Sequence, residues 1–159
     1  MTIFELRDNI HKIPLPTKIA KDIVINDGDD IVELVKSQMQ RGVRGGVRKE
    51  EAKLGFYTPK GGWQNGNEPS SYAKFKHEMN REPGLGIADL KLTGAFYNAF
   101  YFDKNELEVS SKDSKTDSLM ERYGQYIFKL TPESIEEYRP YFNSQFFETI
   151  KAYLYGKTA

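Results

Sequence analysis

The chain holds 159 residues, 23 basic and 23 acidic side chains, no cysteine, and aromatic residues at 13% within a hydrophobic share of only 38%. That length predicts one domain with a core built largely from Phe and Tyr. The charge balance argues against a protein built wholly around nucleic acid or a membrane surface, and the lack of cysteine excludes a disulfide framework or a thiolate metal site.

The N-terminus, "MTIFELRDNIHKIPLP", lacks the basic start and continuous apolar run of a signal peptide. No apolar stretch approaches the roughly 18 residues of a membrane span. The expectation is a protein assembled inside the cell, without membrane contact.

Charge is uneven along the chain. Residues 1–35 hold four bases and seven acids, residues 36–91 eleven bases and six acids, and residues 92–139 six bases and nine acids. The basic middle also contains nine of the thirteen glycines and the only Trp. In chain order, Ile3, Phe4, Leu6 and Ile10 predict a short helix stopped by "PLP". "IVIND" reads either as helix or as a short strand. "DDIVELVKSQMQRG" predicts a helix with Asp29 or Asp30 as cap, Ile31, Leu34, Val35 and Gln38/Met39 on one face, and Gly42 at its end.

Residues 43–88 show no sustained period beyond a short helix at 70–79. A loop of that length is a surface excursion or a segment that orders against a partner, with Phe56, Tyr57, Trp63 and Tyr72 as contact groups.

"AFYNAFYF" follows. Read as extended, it puts Phe96, Asn98, Phe100 and Phe102 on one face; alternatively Thr93 caps a single helical turn before the strand. "DKNE" supplies turn residues and "ELEVSS" alternates back, which predicts a hairpin at about 95–111. "SKTDSLMERYG" predicts a helix capped by Ser114 or Asp113, and "QYIFKL" a strand near 125–130. "TPES" starts a helix at Thr131 and Pro132, Pro140 interrupts it, and Phe142, Phe146, Ile150 and Tyr153 or Leu154 form the apolar stripe of a last helix ended by Gly156.

The fold expected is α+β: a small antiparallel sheet, made of the hairpin and the 125–130 strand, packed against helices, with a long irregular middle. Residues 1–28 read as an N-terminal arm and residues 29–159 as a single domain carrying the 43–88 insertion. The hairpin and the helix 141–155 are expected to form the core, with residues 1–28 and 43–88 reaching to neighbours.

Catalytic signatures are missing from the sequence. His11 and His77 sit in no ligand spacing, and "GVRGGVRK" lacks the Gly-Lys-Ser/Thr ending of a phosphate loop. "DIVINDGDDIVE" has Val24 where a calcium loop needs an oxygen ligand and Gly28 one place late. The chain is therefore not expected to be an enzyme, and no catalytic, cofactor or metal residue is assigned.

A partner-binding segment is assigned instead to Arg41, Arg44, Arg48, Phe56, Tyr57, Trp63 and Tyr72. With Lys49, Lys53, Lys60, Lys74 and Lys76 they mix cations and rings in a way that also suits nucleic acid, the alternative use of residues 41–81.

Several pieces in order, "ELVKSQMQRGV", "FYTP", "SYAKFK", "DLKLTGAFYNAF" and "SSKDSKTDSLMERYGQYIFKLTPES", resemble the virion morphogenesis proteins of tailed phages, the tail-completion and head–tail connector (neck) group. The resemblance covers roughly residues 30–135. It implies an α/β fold with a small antiparallel sheet and a structural role in the virion, assembled in the host cytoplasm. It also implies a ring formed with copies of itself beside a portal, connector or tail tube, with DNA in the channel as a further contact. Thr93 and Gly94, with Phe96, Phe100 and Phe102 behind them, correspond to the residues that begin the family's sheet, and none is catalytic.

Overall fold

The computed structural model describes residues 2–45, 53–55, 63–64, 68–69, 71–91 and 94–157. The architecture is α+β: mostly helices, with a two-stranded antiparallel hairpin packed against them. The chain divides into two compact units, residues 28–135 and residues 1–27 with 136–159.

In the first unit, helix α3 (Gly28–Gln40) buries Ile31, Val32, Val35, Gln38 and Met39, the recurrence of three to four that lines one helical face. Val32 takes the buried place the sequence suggested for Leu34, which is half-buried. Asp29 and Asp30 lie inside the first turn rather than capping it, where their charge suits the helix dipole. At the other end the Gly42 amide donates to the Met39 carbonyl at 2.8 Å and the Val43 amide to the Gln38 carbonyl at 3.1 Å. This paired closure needs left-handed backbone at Gly42, whose φ is 74°. A side chain there would also meet Ile87 at 2.6 Å.

The aromatic stretch does not run extended from its start. Gly94 caps a helical turn, α5 (Ala95–Asn98), and only Phe100–Asp103 forms strand β3. The turn lets consecutive rings, Phe96 and Tyr97, both reach the core, which an alternating strand forbids. Thr93, the expected cap, lies outside the described residues. Strand β4 (Glu108–Ser111) pairs with β3 in the register Phe100↔Ser111 to Asp103↔Glu108. The connecting turn is held by the Asp103 carboxylate, which accepts from the Asn105 and Glu106 amides at 2.8 and 3.2 Å.

Phe100 packs edge-on against Phe96 and Phe128 with centroids 4.9 and 5.2 Å apart, and stacks with Tyr97 at 5.5 Å. Each buried ring contributes about 1.5–3 kcal/mol. Phe102 is half-buried and lies against Gly28, where an added methyl would fall 2.7 Å from its ring.

Helix α6 (Thr116–Tyr123) follows, its start tied by the Asp113 carboxylate accepting from the Lys115 amide at 2.8 Å. The expected strand near 125–130 is a 3-10 turn, Gln125–Phe128. Its adjacent Ile127 and Phe128 are both buried while Tyr126 is exposed, so the apolar run serves a turn and not an alternating face. Within the long middle, β1 (Trp63–Gln64) and β2 (Glu68–Pro69) form a minimal antiparallel pair, and α4 (Ser71–Met79) occupies the segment where a helix was expected.

The buried Gln38 joins α3 to the start of the last helix, α7 (Pro132–Leu154). Its Nε2 donates to the Lys129 carbonyl, and its Oε1 accepts from the Thr131 amide at 2.9 Å and the Ser134 hydroxyl at 3.1 Å. Thr131 caps α7 as expected, accepting from the Ser134 amide at 3.1 Å.

The second unit contains α1 (Ile3–Lys12), opened by a reciprocal box in which Glu5 N–H donates to Thr2 Oγ1 at 3.2 Å and Thr2 N–H to Glu5 Oε2 at 2.6 Å. Helix α2 (Pro16–Asn26) absorbs "IVIN" and buries Ile19 and Ile23. The stretch read as an arm, residues 1–28, carries helices α1 and α2, and residues 1–27 share a unit with residues 136–159.

The Asp27 carboxylate accepts from Tyr138 Oη and Gln145 Nε2, each at 2.7 Å. Asn9 Nδ2 donates to the Leu154 carbonyl at 3.0 Å. Pro140 does not interrupt α7, which continues through it. The carbonyl it leaves without a helical donor belongs to Glu136, and both residues are exposed to solvent. Nor does 141–155 belong to the core: in all of α7 only Ser134 is buried.

Replacing Gln38 by Leu leaves the buried Thr131 amide and the Lys129 carbonyl without their partners. The variant is expected to lose about 2–4 kcal/mol in urea denaturation despite its greater apolarity; unchanged stability would remove the bridge from the account.

Candidate functional site

The ends of the basic middle are built into the first unit. The Leu54 amide donates to the Gly42 carbonyl at 2.8 Å, the Ala88 amide to the Gly55 carbonyl at 2.9 Å, and Val43 bridges Lys53. Arg44 turns inward: its Nη1 donates to the Tyr123 carbonyl at 2.5 Å, at the C-terminal end of α6 where a cation suits the dipole. Arg44 Nε and His77 Nδ1 are buried with no hydrogen-bond partner.

Lys76 of α4 and Asp89 form an ion pair at 2.8 Å with side chains only 4% and 2% exposed. Charges so far from water persist only when their remaining bonding capacity is met. Here Lys76 Nζ also donates to the Lys91 carbonyl. Asp89 accepts from Asn80 Nδ2 at 3.0 Å and the Lys91 amide at 3.1 Å, and its carbonyl accepts from the Tyr97 hydroxyl. The Asn80 amide group reaches on to the Gln40 carbonyl at 2.9 Å, so the pair is fastened to the end of α3.

Burial, and then the Asp89 carboxylate, push the Tyr97 hydroxyl well above its ordinary range and raise Tyr72 in the same sense. Tyr123 is raised by burial, partly offset by the nearby Arg122 guanidinium, with Tyr72 adding to the rise. The neutral Tyr97 hydroxyl is the one of the three whose donated bond ties two segments of this unit, Asp89 and α5.

Of the residues assigned to partner binding, Arg44 and Tyr72 enter this packed region. Arg41 lies half-buried just past α3, its amide donating to the Ser37 carbonyl at 3.2 Å. Trp63 is described through its backbone pairing alone, and Arg48, Phe56 and Tyr57 lie outside the described residues. Among the structural residues, Phe96 and Phe100 are buried, Phe102 is half-buried, and Gly94 caps α5 with φ 83°.

The surface that sequence reasoning missed is in the second unit. Helix α1 buries no residue, and Ile3 and Phe4 are 76% and 67% exposed. From Tyr141 to Leu154, α7 carries seven large apolar side chains, none of them buried. The signal was present in "YFNSQFFETIKAYLY", whose rings fall on more than one helical side. An open concavity of about 350 Å³ lies among Glu5, Asp8, Asn9, Lys12 and Tyr155 of the same unit.

Among the described residues no group of three or more His, Asp or Glu is placed to hold a metal ion, and no helix is long and apolar enough to cross a membrane. Comparison with protein-family models, with curated protein sequences and with solved structures finds no match to this chain.

Lys76→Met strands the Asp89 charge away from water and is expected to cost about 3–5 kcal/mol by chemical denaturation. Adding Asp89→Asn, which removes that charge but keeps an acceptor, recovers part of the loss. A double variant no more stable than the single one would contradict the pairing.

Proposed function

We propose that this chain is a structural subunit of a tailed-phage virion, a neck, head–tail connector or tail-completion ring protein. In this reading it acts by docking to copies of itself and to a portal, connector or tail-tube neighbour, and not by turning over a substrate. The order of the motifs between residues 30 and 135 supports the class.

The observation that carries the mode of action is the apolar length of α7 beyond Pro140, where Tyr141 and Phe147 are exposed and Phe142, Phe146, Ile150, Tyr153 and Leu154 are only half-buried. A helix apolar on several sides is stable in water only when something else covers it. In the first unit, by contrast, four polar side chains that the sequence leaves open are engaged internally: Gln38, Lys76, Asp89 and, through Nη1, Arg44 bond to backbone groups or to one another. The alternative, an accessory protein binding nucleic acid through residues 41–81, loses two of its cations, Arg44 and Lys76, to those internal bonds.

The test is a nonsense block of the gene in its phage, read by electron microscopy and by mass spectrometry of purified particles. The expected result is that wild-type particles contain the chain in a fixed copy number, and that the block yields filled heads and tails that fail to join. Particles lacking the chain, joined normally under the block, would overturn the proposal.

A further inference from the structure

We infer that the second unit, through α1 and the part of α7 from Glu136 onward, is the surface by which copies of this chain meet. The inference rests on the assembly reading above and assigns its subunit–subunit contact.

The first argument is area. Phe4, Tyr141, Phe147 and Tyr155 are 60–68% exposed. With about 150–250 Å² per aromatic side chain, these four leave on the order of 500 Å² in contact with water. Ile3 and Ile10, 76% and 50% exposed on α1, add to it. Spread over more than one side of the two helices, the total compares with the ~800 Å² that each partner contributes to a stable protein–protein interface. The two helices are also physically joined, because Asn9 of α1 holds the carbonyl of Leu154 at the end of α7.

The charge of this unit is balanced. Residues 1–27 and 136–159 together hold seven bases and seven acids. Several are paired within their own helix: Arg7 with Asp8 at 2.8 Å, Arg139 with Glu136 at 2.8 Å, and Lys151 with Glu148 at 2.6 Å. Nucleic acid or an oppositely charged protein would need a surplus of one sign here. A neutral surface with internally paired charges carries no net repulsion against an identical one, which fits a second copy as its occupant.

Sedimentation velocity of the purified full-length chain over a range of concentrations tests this. The wild type is expected to self-associate, and Ile3→Glu combined with Phe147→Glu to weaken association about tenfold or more. Tyr126→Glu, at an exposed ring of the other unit, is expected to leave association unchanged. Circular dichroism checks that helix content is retained.

The chain has no cysteine, so Phe147→Cys provides a unique thiol whose reaction with a maleimide should slow as concentration rises. A chain that stays monomeric at about 100 µM, or a double-Glu variant that associates like the wild type, overturns the inference. Incorporation into particles is a separate readout: a monomeric chain still found in virions refutes this contact while leaving the structural role standing.

Discussion

A primary amide with no exposure to water, that of Gln38, holds the larger unit together. Its donor and acceptor ends reach backbone groups 91 and 93 residues further along the chain, at Lys129 and Thr131. One side chain thus couples the buried face of α3 to the segment that starts α7. Such a bridge is directional where apolar packing is not. A buried amide tolerates only the arrangement that meets all its bonds, so it fixes the register of the 129–134 segment against α3. The Gly42 closure, about one helical turn later, sets Val43 against Lys53 and the Gly42 carbonyl against the Leu54 amide.

Around that bridge the unit follows a division of labour. The rings of Phe96, Phe100 and Phe128 with Val35, Met39 and Ile127 supply the apolar burial. The Lys76–Asp89 pair, Asn80 and the Tyr97 hydroxyl supply the geometry that binds α4 and the chain before α5 to α3. Buried ion pairs add little net stability over an apolar substitute, but removing one partner is costly, which makes the packed ends of the middle segment structurally committed. The second unit is organised differently: Asp27 and Asn9 fasten its helices with exposed or half-exposed polar bonds, and its rings stay near water.

Local chemistry was legible in the sequence wherever a single residue type dictates backbone or cap. The end of α3 at Gly42, the Thr131–Pro132 start, the Asp103 turn and the α+β class could all be read that way. What could not be read depends on partners far apart in the chain. Gln38 sits beside Met39 on an apolar face and looks like its polar edge, because its partners lie more than ninety residues away. Lys76 reads as one more surface cation until Asp89 is placed beside it. "QYIFKL" failed as a strand because a short apolar run has no period to decide its type. Pro140 failed as a stop because the carbonyl it orphans is on the wet side of α7. Arg44 reads as one of several like cations until the Tyr123 carbonyl is placed against it, and the apolar side chains of α7 beyond Pro140 were assigned to a core that lies elsewhere.

The assembly proposal therefore reduces to a contrast between a unit that buries its rings in a core of its own and one whose helices keep large apolar side chains exposed. Native-state hydrogen exchange on the dilute monomer measures that contrast residue by residue. The account predicts that α3 amides exchange slowest, while those of α1 and residues 141–154 exchange faster by about a hundredfold or more, through local opening. Equal protection of α1, residues 141–154 and α3 in the isolated monomer would contradict it.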